Sequence, residues 1–208
     1  MKNEFYPLSK TEEGIFVSCL KETDAYNLAN LVNLGADLDV NKFADSVKKV
    51  FEAHPYLFTV LFQGDDGNIY KKIRTKKIDI PVIEVNKLEI ESKPYKMLDE
   101  HLFRLALYKC NGEYFFYYDF HHIIFDGTSI KLFIDEVLSV YEGNAINDEK
   151  YDANKFALDE AKLLSSKKYS DAKSYFEKIV ADTEVDSWMN NFRTSVHRVD
   201  TSDCCMPC

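Results

Sequence analysis

The stretch LFRLALYKCNGEYFFYYDFHHIIFDGTSIKLFIDEVLSVYEG (Leu102–Gly143) contains two strands, a loop rich in polar chemistry and a helix. LFRLALYKC and EYFFYYDFHH are joined by Asn111-Gly112. That dipeptide tolerates positive φ at both positions and so favours a two-residue hairpin turn. The second arm is aromatic on both faces, as expected of a strand with neighbours on either side. After the histidines, Ile130, Phe133, Ile134, Val137, Leu138 and Tyr141 fall on one helical stripe. Thr128 or Ser129 can cap this helix and Gly143 ends it. Strands followed directly by an amphipathic helix imply helices laid on a sheet.

Working outward, the same alternation continues. SKTEEGIFVSCLK reads as a helix capped by Ser9, with Ile15, Phe16, Cys19 and Leu20 as its apolar set. NLANLVNLG (27–35) reads as a strand. DVNKFADSVKKVFEAH starts at the cap Asp39 and places Val40, Phe43, Ala44, Val47, Val50 and Phe51 at helical spacing, and Pro55 stops it. YLFTVLFQGDDGNIYKKI is a hairpin turning at Gly64-Asp65-Asp66-Gly67. A short strand is expected at Pro81 to Val85. SDAKSYFEKIVAD is a further helix with Ala172, Tyr175, Phe176, Ile179 and Val180 on one face. The expected fold class is α/β (α+β): a two-layer sandwich with a mixed sheet and helices packed mainly on one face.

With 208 residues, 15 Phe and 13 Tyr, the chain can bury a substantial core. Its net charge of −9 disfavours binding to phosphate backbones, so no nucleic-acid partner is expected. The basic run KKIRTKK (71–77) reads as a solvated strand end or turn rather than a patch. No apolar run approaches the ~20 residues of a membrane-spanning helix, and MKNEFYPLSK lacks the pattern of a secretory signal. A cytoplasmic protein with no membrane partner is expected. Cys19 and Cys110 read as buried free thiols. Cys204, Cys205 and Cys208, with His197 nearby, are ligand types that suit zinc, yet no second paired-ligand knuckle exists, so no metal site is expected.

The histidine pair carries the chemistry. Neighbouring side chains on a strand point to opposite faces, so His121 and His122 cannot both enter one cleft. One should anchor the strand end while the other projects towards a reactant. Ile123, Ile124 and Phe125 form an apolar plug that holds the loop down. Asp126 and the permissive Gly127 then lead into a helix N-terminus, which favours nearby negative charge. An imidazole that titrates near neutrality beside such a loop suits proton transfer. Two satisfied histidines and a capping Asp remain the structural alternative. Adjacent histidines diverge too far to share a metal.

HHIIFDG resembles the HHxxxDG signature of the condensation domains of nonribosomal peptide synthetases, members of the chloramphenicol-acetyltransferase-like acyltransferases. Other segments match in the same order: YPLSKTEEGIF resembles the opening motif, FEAHPYLFTVLF the second motif, LFRLALYK the strand before the signature, and SYFEKIVAD the helix that closes the first half. The resemblance implies a chloramphenicol-acetyltransferase-like half, with His122 as the catalytic or amine-positioning residue facing the reaction channel. It implies structural roles for His121 and Asp126, beside Gly127. The basic residue usual in the second motif, a partner for that Asp, is replaced here by Phe58, so Arg104 is the expected partner of Asp126. Glu12 stands where a glutamine is common.

The resemblance also implies that residues 1–182 form the N-terminal lobe and 183–208 a tail, either poorly ordered or the start of a second lobe. The implied reaction is amide formation between an acyl or peptidyl thioester and an amine. No cofactor binds directly, because both substrates ride on the phosphopantetheine of carrier proteins. Expected partners are peptidyl or acyl carrier domains, together with the missing C-terminal lobe or a self-associated copy. As an isolated lobe the chain is expected to be weak or inactive. Epimerisation of a carrier-bound residue, and a non-catalytic module that binds a carrier or partner, are the alternatives.

Overall fold

The computed structural model describes residues 5–21, 24–146 and 151–182. Their elements run β1 (Phe5–Pro7), α1 (Lys10–Ser18), β2 (Asn27–Gly35), α2 (Val40–Ala53), a 3-10 turn (Pro55–Phe58), β3 (Thr59–Gln63), β4 (Ile69–Ile73), β5 (Val82–Val85), β6 (Phe103–Cys110), β7 (Glu113–His121), α3 (Gly127–Glu142), α4 (Ala153–Leu164) and α5 (Lys167–Asp182). The chain divides into two units, one ending at Ala161 and one beginning at Lys162.

In the first unit a four-stranded sheet runs in the order β2-β7-β6-β5. β7 pairs antiparallel with both β2 and β6, and β5 pairs parallel with β6. The expected mixed sheet is this one, with the aromatic strand at its centre. A second, antiparallel sheet in the order β1-β4-β3 accompanies it, a division that no sequence pattern marks. The β6–β7 turn is tight because Asn111 and Gly112 take φ of 51° and 87°. Such paired positive values match the twist of the flanking strands.

Strand alternation sorts β7 into two faces. Phe116, Tyr118 and Phe120 meet Phe103, Leu105 and Leu107 of β6 and the inner faces of α2 and α3. Phe43, Val47, Val50 and Phe51 of α2, with Phe133, Val137 and Val140 of α3, complete this main cluster. Full burial of each large side chain contributes about 1.5–3 kcal/mol, so this face dominates the stability of the unit. A smaller cluster joins Leu8, Leu61, Tyr95, Leu102 and Ile123, with Ile15 and Phe16 of α1 against it.

Three expectations change. The cap of α3 is Asp126, whose side chain accepts from the Ser129 amide, rather than Thr128 or Ser129. A carboxylate one position before the first helical residue has the better reach for those unpaired amides. The run 71–77 is solvated only past the end of β4: residues 74–77 are exposed, but Lys71 is buried. Lys71 is only 2% exposed and paired with Glu12, Arg74 donates to the Asp99 carbonyl at 2.6 Å, and Lys76 lies over the Phe103 ring at 4.5 Å. The Glu12 carboxylate offsets the desolvation of Lys71, while Arg74 and Lys76 keep exposed surface. The stripe of α5, in the second unit, is exposed rather than buried, Phe176 by 62%. Cys19 and Cys110 are buried free thiols, as expected. Cys204, Cys205, Cys208 and His197 lie outside the described residues, as does the tail at 183–208.

Candidate active site

β7 delivers the histidine pair at its C-terminal end. His121 is its last residue, with 1% of its surface exposed. The His121 amide donates to the Leu102 carbonyl at 2.9 Å. Its Nδ1 accepts from the Ile123 amide at 3.2 Å, so in the neutral ring the proton sits on Nε2, 3.5 Å from Cys19 Sγ. Burial, with a smaller contribution from the charge of His122, pushes His121 down to about 4. Imidazolium is penalised in that surrounding, and the ring is neutral at physiological pH.

The chain turns outward at the next residue. His122 is exposed, its amide donates to the Tyr26 carbonyl at 2.8 Å, and its ring meets that of Tyr26 edge-on at 6.5 Å. One histidine thus anchors and the other projects, as strand alternation requires. The plug behaves as expected too. Ile123 is buried in the smaller cluster, Phe125 is buried in the main one and stacks on Phe120 at 4.2 Å, and Ile124 touches both.

Asp126 Oδ1 accepts from the Ser129 amide and the Ser129 hydroxyl, both at 2.7 Å. These bonds hold its carboxyl below the usual carboxylate range. Its partner is therefore the start of α3 and not Arg104. Arg104 stands directly across the hairpin from Asp119, and its Nη1 donates to Asp119 Oδ2 at 2.9 Å. Gly127 opens α3 with open space where a Cβ would stand.

The two departures at the flanking motifs have local explanations. Phe58 is buried and packs on the rings of Phe51 and Phe103, a place where a guanidinium would lie in hydrocarbon. Glu12 closes a capping box with Ser9 and receives Lys71 Nζ on both carboxylate oxygens, at 2.7 and 2.8 Å. A glutamine could cap the helix but would leave Lys71 without a counter-charge. The structure thus gathers His121, His122, Asp126 and Gly127 on one strand end and loop. Arg104 belongs to a neighbouring cluster that reaches His121 through Tyr95, whose ring stands edge-on to the imidazole at 5.8 Å. Tyr26 and Tyr95 carry no sequence signal of this role, and Cys19 is marked only as a buried thiol, because nothing in their spacing ties them to the histidines.

The family model described as Condensation domain matches residues 2–195. The chain belongs to the condensation domain family. Among curated relatives, surfactin synthase subunit 2 of Bacillus subtilis (strain 168) is 23% identical over 189 residues, covering 86% of this chain and 5% of that protein. Bacitracin synthase 1 of Bacillus licheniformis is 30% identical over 154 residues, covering 68% and 3%. Among solved structures, the starter condensation domain of rhizomide synthetase RzmA superposes with a TM-score of 0.73 at 20% identity, covering 87% of this chain and 49% of that one. The first condensation domain of the CDA synthetase gives 0.65 at 15% identity, covering 87% and 51%. This condensation domain chain therefore has the fold of those structures and spans about half their length. Among its described residues no helix is long and apolar enough to cross a membrane.

Proposed function

We propose that residues 1–182 are the N-terminal lobe of a nonribosomal peptide synthetase condensation domain and that His122 is its working imidazole. In the reaction envisaged, the amine nitrogen of an aminoacyl group attacks the carbonyl carbon of an acyl or peptidyl thioester. The C–N bond forms as the C–S bond breaks, the amine gives up a proton, and the carrier thiol leaves. Both groups arrive on the phosphopantetheine of carrier domains, which are the proposed partners. His122 holds the amine and takes its proton, and His121 fixes the strand end from which His122 projects. Asp126 and Gly127 set the loop and the start of α3.

One observation carries this reading: an exposed imidazole stands at the end of the central strand on a loop whose every other anchor is buried or hydrogen-bonded. Orientation of two tethered reactants supplies on the order of 7–11 kcal/mol in favourable cases. One lobe alone provides half of the surface that would orient them, so the chain by itself should be a poor catalyst. The experiment is the His122→Ala substitution within the complete synthetase, assayed for product on the downstream carrier. Loss of product with folding intact supports the proposal, and undiminished condensation refutes it.

A further inference from the structure

The segment between β5 and β6 is fastened to the sheet face that carries His121, and Arg104 is the main fastener. Its Nη1 donates to Asp119 Oδ2 at 2.9 Å and to the Lys93 carbonyl at 2.6 Å, and its Nη2 donates to the Pro94 carbonyl at 2.9 Å. Ser92 Oγ and the Tyr117 hydroxyl donate to the same Asp119 oxygen, at 2.9 and 3.2 Å. Asn27 Nδ2 donates to Ser92 Oγ at 2.7 Å and to the Lys93 carbonyl at 2.8 Å. Asp119 itself has no exposed surface.

This fastening ends in a row of three flat groups. The guanidinium carbon of Arg104 lies 3.8 Å from the centre of the Tyr95 ring. Tyr95 is buried and stands perpendicular to the His121 ring, at 89°. Its hydroxyl donates to the Asp119 carbonyl at 2.7 Å. Burial and the neighbouring Asp119 charge raise the phenol, so it keeps its proton and remains a donor. His121 needs such a wall. Its own polar contacts, a 3.2 Å bond from Ile123 and a 3.5 Å contact with sulfur, act along the ring plane and leave its tilt to the packing around it.

We propose that Arg104, Asp119 and Tyr95 are positioning residues for the histidine pair: the Arg104 fork, locked by Asp119, presses Tyr95 against His121 and keeps that ring in the one tautomer that anchors the His122 loop. The inference rests on the reading of His122 as the working imidazole. The fork geometry is essential to it, because a lysine could pair with Asp119 but has a single nitrogen in place of the two that reach Lys93 and Pro94, and no plane to lay on a ring.

The test uses the full chain with nitrogen-15-labelled histidine and reads the tautomer and titration of His121 by NMR. The titratable groups around that ring are Cys19, which caps the end of α1, Tyr26, Tyr95 and His122. Wild type should show one Nε2-protonated tautomer that stays neutral to below about pH 5. Arg104→Met should give mixed tautomers and a midpoint about one pH unit or more closer to the ordinary histidine value, with Arg104→Lys in between. An Arg104→Met chain that melts earlier while His121 keeps the wild-type tautomer and titration would overturn the proposal. Should Arg104→Met not fold, Tyr95→Phe against Tyr95→Leu gives the same decision: the ring-retaining variant must behave as wild type and the other must not. No turnover enters this measurement. Condensation that survives His122→Ala would remove the catalytic reading and leave the NMR result standing.

Discussion

His121 and His122 are adjacent in sequence, yet one is sealed against Cys19 and the other faces solvent. Two predictions belong to this scale. His122→Ala in the complete synthetase should slow amide formation by about 100-fold or more, the usual worth of a positioned acid or base, with the melting temperature unchanged. For His121 the folded value of about 4 lies below the ordinary value of about 6.5. The unfolded chain therefore binds the extra proton first as pH falls. The contribution of His121 is fully present above about pH 6.5 and is lost between there and pH 4, up to on the order of 3 kcal/mol. Urea midpoints measured across that window should fall with pH, and an unchanged midpoint would contradict a buried neutral ring. That the two histidines diverge was legible from strand alternation, while the choice of His122 as the outward one came from the resemblance. The partner of Asp126 was not read correctly, although the signal was present. The two-residue turn pairs Cys110 with Glu113, and counting back six residues on each arm sets Arg104 opposite Asp119.

At the scale of elements, α1 is tied to β4 by Glu12 and Lys71, both buried. Removing one member leaves the other charged in hydrocarbon. Glu12→Gln and Lys71→Met should each destabilise by about 3–5 kcal/mol. The double variant should recover a large part of that loss, which a double-mutant cycle in urea would measure. Asp126→Ala removes the cap of α3 and should cost about 1 kcal/mol, less than either charge deletion, because Asp126 is exposed. Helices α1, α2, α3 and α5 and both hairpins were legible because their caps, turns and apolar stripes agree. α4 was missed for a physical reason. Its apolar stripe, Ala153, Phe156, Ala157, Ala161 and Leu164, is mostly alanine and so carries little signal, and of these only Ala157 is buried, beside Asn154. β1, three residues long, is too short to show a period.

At the scale of the molecule, the resemblance made the family legible, while composition alone reached only a layered domain of strands and helices. The division into two sheets was out of reach because β1 pairs with β4, a strand far from it in sequence, with no turn joining the two. The chain alone, supplied with both loaded carriers, should form amide far more slowly than the complete domain does, and equal rates would refute its reading as one lobe. The short run Ile123-Ile124-Phe125 has a mechanical consequence. It is a rivet driven through two plates, Ile123 gripping the side of the small sheet and α1, and Phe125 the side of the large sheet and α3. Any slippage between those plates must tilt the rivet and swing His122 with it, so loosening either hydrophobic grip from a distance would detune the imidazole without touching it.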